Sequence, residues 1–147
     1  MNKSFMNYAL EEAKKAKSIN EVPVGAVIVK NNIIIGRGHN SIETLKDSTA
    51  HAEIIAIKNA SNYLGDWRLK DCEMYVTLEP CPMCAGAIIQ SRLKKVYIGT
   101  FEPNLGACGS VIDILQNIYL KSNVEVQWMY MDECSIILKD FFKERRK

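Results

Sequence analysis

The chain has 147 residues and a formal net charge of +2, with 48% hydrophobic and 24% charged residues. These proportions are close to globular averages, and they exclude a disordered chain, a collagen-like chain and a chain with a membrane-spanning helix. We therefore expect one domain over residues 1–147, long enough to bury roughly 70% of the surface that the unfolded chain exposes. The net charge is too small to indicate nucleic-acid binding by itself.

The start of the chain and its cysteines indicate a compartment. The first residues contain neither an apolar stretch nor a small-residue cleavage site, which argues against a secretory signal, so we expect a cytoplasmic protein. The five cysteines are an odd number. In a reducing compartment, the C-x-x-C spacing of Cys81 and Cys84 indicates metal or redox chemistry before disulfides.

Hydrophobic periodicity predicts helices and strands that alternate along the chain. The predicted helices lie at residues 3–18, from Ala50 to about Asn62, at 82–92, near 110–116 and from about 132 to the end, and the predicted strands lie at 22–30, 33–38, 73–78, 94–99 and near 123–129. Asn31-Asn32 predicts a tight hairpin turn, and Thr49 is expected to cap the second helix. Such an alternation is typical of parallel strands joined by crossover helices. We expect a three-layer α/β/α domain with a mixed sheet of about five strands.

Two short segments, His51-Ala52-Glu53 and Pro80-Cys81-Pro82-Met83-Cys84, contain candidate zinc ligands. Cys81 and Cys84 are three residues apart, so at the start of a helix they share a face. His51 lies at the start of another predicted helix, and both helices begin at one edge of the sheet. His51, Cys81 and Cys84 therefore form a candidate site for one zinc ion. Three protein ligands leave a fourth position open for water, which is typical of a catalytic zinc.

Glu53 is the candidate proton carrier. It is two residues from His51, so on a regular helix it points in another direction and reaches the substrate side of the metal. Two thiolates neutralise the zinc charge and make water at the metal less acidic, so an additional base is useful. We expect Glu53 to take a proton from the water, deliver it to a ring nitrogen and later protonate the departing ammonia.

Two other interpretations of these residues remain open. The site could be a structural zinc site in which Cys72, Cys108, Cys134 or His39 supplies a fourth ligand, or the cysteines could be small core residues. Neither interpretation explains a glutamate beside the histidine ligand.

The pattern H-x-E followed by P-C-x-x-C resembles the cytidine-deaminase-like superfamily of zinc deaminases. Within that superfamily, nearly the whole chain is similar to the bacterial tRNA-specific adenosine deaminases. The segments that carry this resemblance are residues 21–27, Asn40, residues 49–54, 76–87, 106–110, 132–134 and 140–142.

The resemblance implies a cytidine-deaminase-like sandwich with one zinc ion per chain, and hydrolytic deamination of adenosine to inosine at the wobble position of tRNA. It also implies a homodimer in which the anticodon loop of the tRNA contacts both subunits. Asn40 and the backbone of Ala52 are implied to hydrogen-bond the flipped base, with Val24 and Leu78 as pocket walls. Glu102 occupies the position of an acidic residue that contacts a neighbouring ribose.

The C-terminal stretch from Lys139 to Lys147 carries five positive and two negative residues, which favours contact with phosphates. We expect RNA contacts from this stretch, and the residues assigned to them are Phe141, Lys143, Arg145 and Arg146. Helical spacing leaves open whether Phe141 or Phe142 is a core residue.

Two alternative functions also remain open. The first is a free-base deaminase acting on guanine or cytosine. The second is a non-catalytic RNA-binding subunit of a deaminase complex, against which the presence of Glu53 argues.

Overall fold

Five helices and five strands make up the computed structural model, which describes residues 2–145. In chain order they are α1 (Asn2–Ser18), β1 (Gly25–Lys30), β2 (Ile33–His39), α2 (Ile42–Leu45), α3 (Ala52–Leu64), β3 (Glu73–Leu78), α4 (Pro82–Gln90), β4 (Lys95–Thr100), β5 (Glu125–Trp128) and α5 (Asp132–Arg145), with one 3-10 turn at Ile118–Leu120. None of the described helices has the length and apolar character needed to cross a membrane.

The strands form one mixed sheet in the order β2-β1-β3-β4-β5. β1 is antiparallel to both β2 and β3, whereas β3, β4 and β5 are parallel. The β1–β2 connection is the predicted hairpin, in which Asn31 and Asn32 both have the positive φ values, 52° and 63°, of a tight turn. The predicted fold class, a mixed sheet of five strands in an α/β domain, is confirmed.

The two faces of the sheet have separate hydrophobic cores. Successive strand residues point to opposite faces, so neighbours such as Val27 and Ile28 belong to different cores. One core contains small residues of α3 and α4, and the other contains residues of α1 together with the stacked rings of Tyr75 and Tyr97. Helices therefore cover both faces, which is the predicted three-layer arrangement.

Glycines in β2 allow α3 to lie directly on the sheet. A Cβ atom at Gly36 would lie 2.5 Å from the carbonyl oxygen of Ala56 and 2.7 Å from the amide nitrogen of Ala60, both in α3. Any larger residue would push the helix away from the sheet. This close contact fixes the direction of α3 and hence the position of its first turn.

Two local predictions are wrong. Residues 110–116 do not form a helix, because the amide of Ile114 donates to the carbonyl oxygen of Ala107 and Cys108 forms an isolated bridge with Asp113. Thr49 does not cap α3, since its hydroxyl donates to Asp47 instead.

Candidate metal centre and substrate pocket

The first turns of α3 and α4 bring the candidate ligands together. His51 and Cys81 are the N-cap residues of these helices, and both have extended backbones, with φ and ψ of −75° and 154° for His51 and −76° and 174° for Cys81. Neither side chain accepts a hydrogen bond from its own helix. Both side chains are therefore free to face each other.

The distances within this cluster fit a tetrahedral zinc ion. His51 Nδ1 is 3.6 Å from Cys81 Sγ and 3.5 Å from Cys84 Sγ, and the three ligand atoms all lie within 4.8 Å of one another. Zinc bonds of about 2.0–2.1 Å to nitrogen and about 2.3 Å to sulfur, at a tetrahedral angle, place nitrogen and sulfur about 3.5–3.6 Å apart. The side chains could therefore hold one ion without rearrangement.

The protonation states of Cys81 and Cys84 also favour the binding of a cation. Hydrogen bonds from Cys84 and His51 lower the pKa of Cys81 to about 4, so this sulfur is a thiolate at neutral pH. The hydrogen bond to Cys81 raises the pKa of Cys84, and burial adds to the effect. A metal ion removes a proton from a thiol that coordinates it, so binding would make both sulfurs anionic.

Glu53 lies in the first turn of α3 with 4% of its surface exposed. Its carboxylate is not part of the ligand cluster formed by His51, Cys81 and Cys84. Burial raises its pKa from 4.5 to about 7, because the carboxylate loses its hydration. A carboxyl group with this pKa can both accept and donate a proton at neutral pH, as a general acid–base must.

Asn40 has a buried acceptor without a partner. The side chain is 7% exposed. Among the described side chains, those of residues 5–145, its Oδ1 is the one buried nitrogen or oxygen atom without a hydrogen-bond partner. An unpaired buried acceptor costs about 1–3 kcal/mol, and a ligand that donates a hydrogen bond would remove that cost. The backbone ties Asn40 to the segment that precedes His51, since the next amide, of Ser41, donates to the carbonyl oxygen of Ala50 and the amide of Asn40 itself donates to that of Val24.

A groove of about 910 Å³ lies between the ends of β3 and β4 and one side of α5. Two predicted substrate residues, Leu78 and Glu102, line it. The groove also contains three aromatic and two basic side chains, which are Phe101, Tyr130, Phe142, Lys139 and Lys143. Stacking surfaces and cations in one groove are typical of a site for single-stranded nucleic acid.

The structure corrects one of the four predicted RNA contacts. Phe141 is only 3% exposed and packs in the protein, whereas Phe142 is 45% exposed and lines the groove. Lys143 lies in the groove, and the guanidinium of Arg145 lies 4.9 Å from the centre of the Phe141 ring. The prediction for Arg146 falls outside the described residues.

None of the alternative fourth ligands joins the metal cluster among the residues described. Nδ1 of His39 is 3.1 Å from a carboxylate oxygen of Glu12, as expected for a hydrogen-bonded structural histidine. The remaining cysteines, Cys72, Cys108 and Cys134, are buried elsewhere in the two cores. The described side chains thus supply three ligands and leave one tetrahedral position for a small molecule.

Two buried carboxylates that the sequence did not single out bind backbone amides of other segments. Glu21 accepts hydrogen bonds from the backbone amides of Glu43 and Thr44, and Glu79 accepts several from the segment after β4. The position of Glu79 directly before the P-C-x-x-C segment was a sequence signal of a functional role. The sequence alone does not show which backbone amides its carboxylate binds.

Comparison with known proteins gives a consistent result. A family model described as MafB19-like deaminase matches residues 1–146. The chain is 47% identical over 144 residues to the tRNA-specific adenosine deaminase of Bacillus subtilis (strain 168), which covers 97% of this chain and 89% of the relative.

Solved structures agree with that result. A structure from studies of A-to-I editing by tRNA:A34 deaminases at the wobble position of transfer RNA has a TM-score of 0.88 and 39% identity, covering 92% of this chain and 99% of that chain. Guanine deaminase from Bacillus subtilis has a TM-score of 0.66 and 34% identity, covering 80% of this chain and 85% of that chain.

In metal-free protein, the Glu53→Gln substitution should change how stability depends on pH. An acid whose pKa rises from 4.5 to about 7 on folding binds more protons in the folded chain, so its ionisation destabilises the fold as the pH rises. Relative to wild type, the variant should therefore gain up to about 3 kcal/mol in unfolding free energy between about pH 5 and about pH 8. Urea denaturation of both chelator-treated proteins measures this difference, and a difference that does not vary with pH would contradict the raised pKa.

Proposed function

This chain belongs to the MafB19-like deaminase family and to the tRNA-specific adenosine deaminases, and from that premise we propose that it converts adenosine to inosine at the wobble position of tRNA, releasing ammonia. The observation that carries the proposal is the His51–Cys81–Cys84 cluster, in zinc-like geometry, with buried Glu53 beside it. We place the whole activity in one zinc-dependent domain over residues 1–147. A tRNA substrate is consistent with a cytoplasmic location.

The protein's own residues divide the chemistry between them. His51, Cys81 and Cys84 would hold one zinc ion, which when bound lowers the pKa of water and so supplies a nucleophile at neutral pH. Glu53 takes the proton that this water loses and delivers it to a ring nitrogen of the adenine. It then takes the proton of the hydroxyl group that has added to C6 and gives it to the amino group, so the C6–N bond breaks, ammonia leaves and the C6 carbonyl of inosine remains. Burial raises the pKa of Glu53 in the metal-free chain, which favours a carboxyl group that both accepts and donates a proton.

Four residues around the cluster are proposed to bind the base. The unpaired Oδ1 of Asn40 accepts a hydrogen bond from the base, and the backbone of Ala52 supplies a second polar contact. Val24 is buried and Leu78 is half-buried, so their apolar side chains can form the walls of a pocket that excludes water. A base paired in a duplex could not reach such a site, whereas an anticodon-loop base can be turned out of its stack.

The groove beside the pocket is the proposed site for the nucleotides that flank the target base. Phe142 offers an exposed ring for stacking, and Lys143 offers a cation for a phosphate. Glu102 lies in the same groove, where its carboxylate would accept a hydrogen bond from a ribose hydroxyl. A free base would leave this groove unused, which favours RNA over guanine or cytosine as the substrate.

Purified protein should produce inosine in an unmodified tRNA that has adenosine at the wobble position. Mass analysis of the nucleosides, with free adenosine, guanine and cytosine in parallel reactions, identifies the substrate. The Glu53→Gln variant should retain about one zinc per chain and lose at least about a thousandfold in kcat, because the ligands stay while the proton carrier is removed. Rapid deamination of a free base with inert tRNA would reject the tRNA assignment and leave the zinc chemistry intact.

Neutralising a cation of the groove should weaken tRNA binding. Lys143→Ala should raise the dissociation constant about three- to tenfold and reduce the salt dependence of binding by about one phosphate contact. The matched control is Lys70→Ala, because Lys70 is equally exposed but does not line the groove. Filter binding over a range of salt concentrations measures both quantities, and equal effects of the two substitutions would contradict the assignment of the groove.

We also propose that the protein is a homodimer. Large apolar side chains are exposed between Val111 and Leu120, and the most exposed are Ile118 at 79% and Tyr119 at 86%. Exposed apolar residues concentrated in this way favour a protein interface. Sedimentation equilibrium should give twice the mass of the 16.6 kDa chain, and Tyr119→Lys should shift the protein toward monomer. A wild-type monomer at micromolar concentration would exclude this assembly.

A further inference from the structure

Glu79 lies between the end of β3 and the ligand Cys81, and it is 2% exposed. Its carboxylate accepts hydrogen bonds from four donors in the segment after β4, residues 101–110, which we call the β4 loop. Oε1 accepts from the amide of Glu102 at 2.9 Å and from the hydroxyl of Ser110 at 2.5 Å. Oε2 accepts from the amides of Cys108 at 2.9 Å and Ser110 at 3.1 Å. Each oxygen thus meets two donors.

The first half of the β4 loop, residues 101–105, has no buried side chain that could hold it in place. Phe101 is 53% exposed and Leu105 is 63% exposed. Ala107 donates to the carbonyl oxygen of Pro80 at 2.9 Å, which adds one backbone contact to the same ligand segment. A Cβ atom at Gly106 would overlap the Glu79 carboxylate, so the loop is wrapped closely around that side chain.

We propose that Glu79 is a positioning residue that holds the β4 loop, and with it Glu102, at the edge of the groove where the RNA beside the target base binds. This inference rests on the proposed function for the identity of the substrate. Within residues 78–81, Leu78 lines the groove, Glu79 binds the β4 loop and Cys81 belongs to the metal cluster. One short segment therefore sets the distance between the metal centre and the loop that contacts the flanking nucleotide.

The Glu79→Gln substitution tests this role, because glutamine has the same shape but only one oxygen. The glutamine oxygen best occupies the Oε2 side, where it keeps the amides of Cys108 and Ser110. The N–H group on the other side can donate to the Ser110 hydroxyl, but the amide of Glu102 loses its acceptor. The β4 loop should become mobile while His51, Cys81 and Cys84 remain in place. We expect about one zinc per chain, a kcat within about threefold of wild type and a KM for an anticodon stem-loop raised about tenfold.

Hydrogen exchange gives a readout that does not depend on the reaction. In the Glu79→Gln variant, the amide of Glu102 should lose its protection. The matched control is Glu21→Gln, which removes a carboxylate that is also 2% exposed but is bonded to the amides of Glu43 and Thr44. Its one oxygen can keep the amide of Thr44, so the variant should expose the amide of Glu43 and leave the β4 loop protected.

These measurements separate positioning from general destabilisation. A general loss of folded protein would lower kcat and leave KM unchanged, and that result would overturn the proposal, as would full protection of the β4 loop. If Glu79→Gln does not fold, Ser110→Ala removes one donor and keeps the carboxylate bonded to three backbone amides. It should raise KM about threefold, and a wild-type KM would overturn the proposal.

The outcome also distinguishes this inference from the proposed function. If wild-type protein is inert toward tRNA but the Glu79→Gln variant loses protection in the β4 loop, the substrate assignment fails and the anchoring of the loop stands. If wild-type protein deaminates tRNA and the variant has normal KM and protection, the anchoring role fails and the substrate assignment stands.

Discussion

The first turns of α3 and α4 converge on one point, and the rest of the site depends on that convergence. His51 and Cys81 are the residues directly before α3 and α4, and both have extended backbones. Neither side chain caps its own helix, so His51 Nδ1 and Cys81 Sγ lie 3.6 Å apart. Cys84 joins them from the first turn of α4, at a distance that suits one tetrahedral ion. The convergence requires both helices to lie on the same face of the sheet, and the contact of Gly36 with α3 makes that approach possible.

Three buried glutamates of the chain, Glu53, Glu21 and Glu79, have different roles because they meet different numbers of donors. Burial raises the pKa of Glu53 to about 7, since few hydrogen bonds compensate for the lost hydration. Burial also opposes ionisation of Glu21, but hydrogen bonds from Thr44 and Glu43 outweigh it and the net shift of its pKa is downward. Glu79 meets four donors from one loop. A carboxyl with few partners can carry protons, and one surrounded by backbone amides holds a loop.

The sequence predicted the elements that depend on local patterns. Short apolar runs, β-branched in the first two strands, predicted the five strands. Asn31-Asn32 predicted the hairpin, because asparagine adopts the left-handed backbone of a tight turn more readily than most residues. The error at residues 110–116 arises because the amide of Ile114, which a helix from Ser110 would bond to Ser110, donates instead to the carbonyl oxygen of Ala107. Phe141 and Phe142 are adjacent in sequence, so helical spacing alone did not decide which ring is buried.

The candidate metal ligands and Glu53 were determined by the sequence itself, because the spacing within H-x-E and C-x-x-C places each set of side chains on one helical turn. The tertiary structure alone decided the relation between the two segments, the unpaired oxygen of Asn40 and the anchoring of the β4 loop by Glu79. Local patterns fix the direction of a side chain relative to its own backbone. Distances between segments that are far apart in the chain, and the burial that shifts a pKa, arise only when the helices and the sheet pack together.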